Sequence, residues 1–147
     1  MALGARTDPY GAFRFLVELE GLVVGGFTEV TGLSVELEGE PFREGGVNAY
    51  MQRLAGPARH PSNLVLRRGM TDADALWSWH AAAAAGRVRR RNGSIVLLDA
   101  AGDEAWRWNV RDALPVRWVG PELRAGQAVV AVEALELVHR GIARDPA

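Results

Sequence analysis

Three histidines, a row of glutamates at strand spacing and one arginine run are the groups in this 147-residue chain that could do chemistry. His60, His80 and His139 lack His-Glu-x-x-His or any comparable metal-ligand spacing, so each reads as a solvated or hydrogen-bonded structural histidine. Glu36, Glu38 and Glu40 would share one face of a strand, where two carboxylates could meet for acid–base work. An ordinary solvated face is the much stronger reading, because alternation alone produces it. Ser34, Ser62, Ser78 and Ser94 have no Gly-x-Ser-x-Gly around them. Gly25-Gly26 and Gly45-Gly46 lack the downstream spacing of a phosphate cradle. Arg87-Val-Arg-Arg-Arg91 could meet an acidic partner or nucleic acid, and it also suits a solvated strand end. No catalytic constellation emerges, so the expectation is a protein that is not an enzyme and holds no metal or cofactor.

Composition narrows the classes further. The chain has no cysteine, which excludes disulfides, thiolate zinc sites and iron–sulfur clusters. All 17 basic residues are arginine, so lysine Schiff-base chemistry and a P-loop lysine are excluded too. The net charge of −1 hides an asymmetry: residues 1–50 carry 3 Arg against 8 Asp/Glu, and residues 51–147 carry 14 Arg against 10. Such charges can pair inside one domain or between identical copies stacked head to tail. This is not the strongly basic balance of a general nucleic-acid binder. With 48% hydrophobic and 24% charged residues, the chain has the make-up of one globular domain. No apolar run approaches the roughly 18–20 residues of a membrane span. Met1–Tyr10 is short and mixed, unlike a signal peptide, so synthesis and folding in the cytoplasm are expected.

Periodicity supplies the elements that would position these groups. Phe13–Glu20 alternates as a half-buried strand, and Leu22–Val30 continues as a second, interrupted at Gly25-Gly26. Val35 and Leu37 oppose the glutamates in a third. From Pro41 to Ser62 no period holds, and the segment reads as a long loop whose Tyr, Met and Arg content favours ordering by a partner. Asn63–Arg68 is a short strand. Thr71 reads as the N-cap of a helix over 71–85, with Asp72 and Asp74 in its first turn and Gly86 just past its end. Asn92-Gly93 predicts a hairpin turn. Ile95–Leu98 and Glu104–Arg111 are strands, the latter with Trp106, Trp108 and Val110 on one face and Arg107, Asn109 and Arg111 on the other. Leu114–Val119, around Pro115, predicts an edge strand, and Val129–His139 a last strand before a frayed tail at Arg144–Ala147. The sum is a mainly β fold, a β-sandwich or barrel of two antiparallel sheets, with one inserted helix and a long loop at 41–62.

The helix is the most informative element. Trp77 and Trp79 lie about 200° apart on a helix, so both cannot enter one core. One packs with Ala73, Leu76 and Ala84; the other sits beside Ala75, Ala82 and Ala83 on a second face, which points to cover by another chain. A competing reading is a monomeric β-barrel that binds a small molecule, with the long loop as lid and the tryptophans as lining.

Asp8-Pro9-Tyr10-x-x-Phe13-x-Phe15-x-Val17, then Gly26-Phe27-x-Glu29-Val30-x-Gly32-Leu33, resemble the opening of the conserved phage tail protein family. The likeness runs on through Phe42-Arg-Glu-Gly-Gly-Val-Asn48, Gly56-Pro57, Asn63–Gly69 and Leu76-Trp77-x-Trp79. Asn92–Asp99, Trp106-Arg-Trp-Asn109, Pro115-Val-Arg-Trp118, Gly120-Pro-Glu-Leu123 and Val132-Glu-x-Leu-Glu-Leu-x-His139 complete it. It spans about residues 8–142 of a single 1–147 domain. Arginines where the family often has lysine, and the alanine-rich end of the helix, are its departures.

The family includes tube proteins of contractile bacteriophage tails and of extracellular contractile injection systems, and is similar to the haemolysin-coregulated protein of type VI secretion. The resemblance implies homohexameric rings whose sheets join into a lumen wall and stack into a tube. Its partners would be a contractile sheath protein, baseplate and spike proteins and lumenal cargo, with no membrane insertion, in a particle that is cytoplasmic or extracellular. By that analogy Arg43, Glu44, Gly45, Gly46, Asn48, Tyr50, Arg53 and Pro57 form an inter-ring loop, and Trp77 and Trp79 mark a subunit-interface helix. Glu36, Glu38, Arg107 and Arg111 would lie on charged strand faces toward the lumen or a neighbour. A specialised baseplate or tube-initiating ring fits the same resemblance.

Overall fold

The structure is a computed structural model that describes residues 9–11, 14–41, 53–59 and 62–145, without side-chain detail for 38–41, 53–59 and 145. Strands β1 (Phe15–Leu19), β2 (Phe27–Thr31), β3 (Glu36–Pro41), β4 (Arg53–Arg59) and β5 (Leu64–Gly69) precede helix α1 (Ala75–Ala84). Strands β6 (Arg91–Leu98), β7 (Glu104–Val119), β8 (Val132–Val138) and β9 (Gly141–Asp145) follow it. Seven strands form one antiparallel sheet in the order β1-β6-β7-β8-β5-β2, with β9 on β7; β3 and β4 form a separate hairpin.

The sheet folds over because β7 belongs to both halves. Its first part pairs with β6 on one side and β9 on the other, while its second part pairs with β8. The halves are therefore β1-β6-β7-β9 and β7-β8-β5-β2, the two antiparallel layers expected of a sandwich or barrel. Their facing sides meet in a core of Leu19, Leu64, Leu66, Ile95, Val110, Leu135 and Leu137, closed at the flank by Leu76 and Trp79 of α1. Each of these follows the period-2 pattern of its strand or the i, i+3 spacing of the helix.

The bend in β7 falls at Asp112, whose φ of 51° is rare for a residue other than glycine. Three contacts hold it. Its N–H donates to Asn92 Oδ1 at 3.0 Å, its carbonyl accepts from Arg90 Nη1 at 2.9 Å, and its carboxylate lies 3.5 Å from Arg140 Nη1. Asp112→Val should cost about 1–3 kcal/mol in urea unfolding, because a β-branched residue strains this φ. Asp112→Gly should stay within about 1 kcal/mol of the parent, since only a half-exposed ion pair is lost. Equal stability of the two variants would show that the bend carries no strain.

Several expectations are corrected. The segment 41–62 is not a structureless loop throughout: Pro41 ends β3, and residues 53–59 form β4, paired with β3 from Glu36↔Arg59 to Pro41↔Arg53. A register shift between Leu37 and Gly39 places Glu38 opposite Gly56-Pro57, a bulge that breaks the alternation the eye looks for. The helix begins at Ala75 with Asp74 as N-cap, three residues later than expected. Thr71 Oγ1 instead accepts from Ala73 N–H and from Arg68 Nη2, so the hydroxyl shapes the approach to the helix rather than its first turn. At the other end Gly86 (φ 89°) and Arg87 donate to Ala83 and Ala82 carbonyls, the glycine closure the sequence predicts.

Asn92-Gly93 is not a hairpin turn. Both residues sit inside β6, where Gly93 pairs with Leu19 and Val110. A Cβ on Gly93 would lie 2.9 Å from Glu18 O, so the glycine serves close strand approach. Leu114–Val119 is not a separate strand but the continuation of β7; among the described residues only β8 pairs with it, so Pro115 does stand where one side is open. The tail is not frayed at Arg144 and Asp145, which pair with Trp108 and Arg107, and the Arg144 guanidinium lies 3.6 Å from the Trp106 ring centroid.

Candidate assembly surfaces

Helix α1 separates its two tryptophans as the 200° spacing requires. Trp79 is 4% exposed and donates Nε1–H to Arg89 O at 2.8 Å, while Trp77 is 50% exposed. Arg91, the buried end of the arginine run, sits 5.5 Å over the Trp79 ring and donates to Glu20 O at 2.6 Å. Burial first, and the Arg89 charge second, lower the pKa of Arg91. With Arg90 bonded at Asp112, much of the run is a structural clamp between α1, β1 and β7. The inner part of the helix is therefore a fixed seat.

Trp77 is held from beneath. It meets the Trp118 ring edge-on at 4.8 Å, and Trp118 Nε1 donates to Glu133 Oε1 at 3.1 Å. The other oxygen of Glu133 takes Arg68 Nη1 at 3.1 Å, with both side chains almost fully buried. Arg68 also donates to Gly25 O, Thr71 Oγ1 and Ala73 O. One polar chain thus runs from an exposed aromatic through β7, β8 and β5 to the turn before β2. Sequence reasoning missed it, though a signal existed: Arg68 shares the face of Leu64 and Leu66, and Glu133 that of Leu135 and Leu137.

The four predicted charged-face residues divide between two places. Arg107 lies on the outer face of β7 between Glu18 (3.0 Å) and Glu104 (2.6 Å). The hydrogen bonds to Glu104 and Glu18 raise the pKa of Arg107, and the bond from Arg107 lowers that of Glu104. Arg111 is on the same face and donates to Arg140 O at 3.0 Å. Glu36 and Glu38 are instead on the hairpin, where Glu36 is exposed and pairs with Arg59 across the strands. Of the predicted inter-ring residues, Arg53 and Pro57 fall in β4; Arg43, Glu44, Gly45, Gly46, Asn48 and Tyr50 lie outside the described residues.

Among the described residues no group of three or more His, Asp or Glu converges as metal ligands. The interior space lined by Val17, Leu64, Ile95, Val110 and Leu137 measures about 10 Å³, which leaves no room for a small molecule there. A broader cleft of about 780 Å³ lies outside, by Glu18, Ser94, Asn109, Arg111 and Arg140. No helix among the described residues is long and apolar enough to cross a membrane.

A bent antiparallel sheet with one flanking helix and a separate two-stranded hairpin defines a mainly β domain. Residues 11–143 match the model of the T4-like virus tail tube protein gp19 family, and the chain belongs to that family. A search of curated protein sequences finds no match. Among solved structures, a chain of the six-fold symmetrised anti-feeding prophage baseplate is 30% identical, with 95% of this chain and 97% of that one covered and a TM-score of 0.80. A chain of the sheath–tube complex of a PVC extracellular contractile injection system in its extended state shares the fold at 23% identity (95% and 93% covered, TM-score 0.81). Hcp1 from Flavobacterium johnsoniae shares it more distantly, at 14% identity (88% and 94% covered, TM-score 0.57).

Proposed function

We propose that this chain is the repeating subunit of homohexameric rings that stack into the inner tube of a contractile injection particle. The observation that carries the reading is the tail-tube family match across residues 11–143. The subunit's action is mechanical: the rings pass cargo through their lumen, and an enclosing sheath drives the tube into a target. It works beside sheath, baseplate and spike proteins. Among the described residues the path of the sheet ends at β1 and β2, whose outer edges suit strand pairing with neighbouring copies in a ring. The hairpin then reaches the adjacent ring.

The relative in a baseplate structure favours a second reading, a specialised ring at the base of the tube. Electron microscopy and native mass spectrometry of the purified protein distinguish them. The main subunit should give six-fold rings that grow into tubes, and a baseplate ring should stop at one or two layers. Deleting residues 43–57 should leave a folded domain whose rings no longer stack. A protein that stays monomeric at high concentration, alone and with its particle partners, would refute both readings.

A further inference from the structure

Strand register places two sets of exposed apolar side chains at opposite ends of the half-sheet β7-β8-β5-β2. Thr31 pairs with Val65 and Leu64 with Leu137 at one end; Phe27 pairs with Arg68 and Gly69 with Val132 at the other. From the first end springs the β3–β4 hairpin, and Val35 and Leu37 at its root are 54% and 66% exposed. At the second end lie the β1–β2 turn and the segment 120–131, where Val23, Leu123, Val129 and Val130 are 71–99% exposed. Val129 and Val130, with Val119, Arg67 and Arg124, line a groove of about 340 Å³ there.

Among the described residues the hairpin's strands pair only with each other. An isolated two-stranded hairpin is marginal in water, which suits this one to cover by a second molecule. A protein with apolar groups at both poles is suited to a heterologous, head-to-tail contact, in which one pole meets the other. Charge agrees with that pairing. Strand β3 carries Glu36, Glu38 and Glu40, and the groove offers Arg67 and Arg124, whose own partners Glu29 (3.3 Å) and Glu122 (3.7 Å) are exposed surface carboxylates.

We propose that the groove at Val129–Val130 receives the hairpin root of a second copy of this chain in the next ring. Val35 and Leu37 pack on Val129 and Val130, while Glu36 approaches Arg67 and Arg124. The inference rests on the tube reading, which supplies the second ring. Because the chain has no cysteine, Leu37→Cys with Val130→Cys gives a clean probe. Oxidising assembled tubes of the double variant should produce a disulfide-linked ladder on denaturing gels, and isolated single rings should produce none. The pair Val129→Asp and Val130→Asp, both at exposed positions, should leave ring formation and melting temperature unchanged while tube growth falls at least tenfold. Wild-type tubes that form normally, with no ladder and with unimpaired growth of the aspartate variant, overturn this contact and leave the tube reading intact. A wild-type protein that makes neither rings nor tubes overturns both.

Discussion

Glu133→Ala should destabilise the folded domain by about 3–5 kcal/mol, because it strands a guanidinium in the core. Arg68 and Glu133 are 3% and 2% exposed, so water does not replace the lost carboxylate. The remaining partners of Arg68 are the neutral oxygens of Gly25, Thr71 and Ala73, and Trp118 Nε1 loses its acceptor as well. Urea unfolding should show the loss as a lower midpoint with little change in slope. The double change Arg68→Met with Glu133→Leu should recover most of it, since a buried ion pair replaced by apolar groups of similar volume is often neutral. A Glu133→Ala protein with parental stability, or a double variant no better than the single, would mean that the pair is not buried as described.

The two tryptophans of α1 should part company under mutation. Trp79→Ala should cost about 3–5 kcal/mol, the usual toll of emptying a core aromatic site, and it also leaves Arg89 O without its donor. Trp77→Ala should cost less than about 1.5 kcal/mol, since half of that side chain is already in water and its main loss is one edge-on ring contact. In assembly the order should reverse. Under the proposed ring reading, with α1 at the subunit interface, a folded Trp77→Ala protein should form rings poorly by native mass spectrometry and sedimentation, as an interface anchor would. Rings formed by Trp77→Ala at wild-type concentration would remove α1 from the subunit interface.

The contrast also marks how far the sequence could be read. Helical spacing alone requires that Trp77 and Trp79 face apart, but which one enters the core depends on Arg89, Arg91 and Trp118, residues brought in by tertiary contact. Period 2 exposes strands such as Leu64–Gly69 and Val132–Val138, because one side of each is buried. It fails for β4, where a bulge at Gly56-Pro57 shifts the phase. Asn92-Gly93 misleads because the same small residue that suits a tight turn also suits crowded strands. Among the candidate surfaces, Arg107 is legible as an outward charge, while its bridging of Glu18 and Glu104 depends on which strands become neighbours.

The strand order also dictates when the subunit can exist. Phe15 pairs with Leu97, about 80 residues later, and Leu64 with Leu137. At about 5–20 residues per second, a ribosome needs roughly 4–16 s between making β1 and making its partner. Strand β1 comes early in the chain and its anchor β6 comes late; β2 is anchored by β5, which in turn pairs with the late strand β8. The sheet therefore closes only after β6 and β8 have been made, and until then β1 has an unpaired edge on both sides.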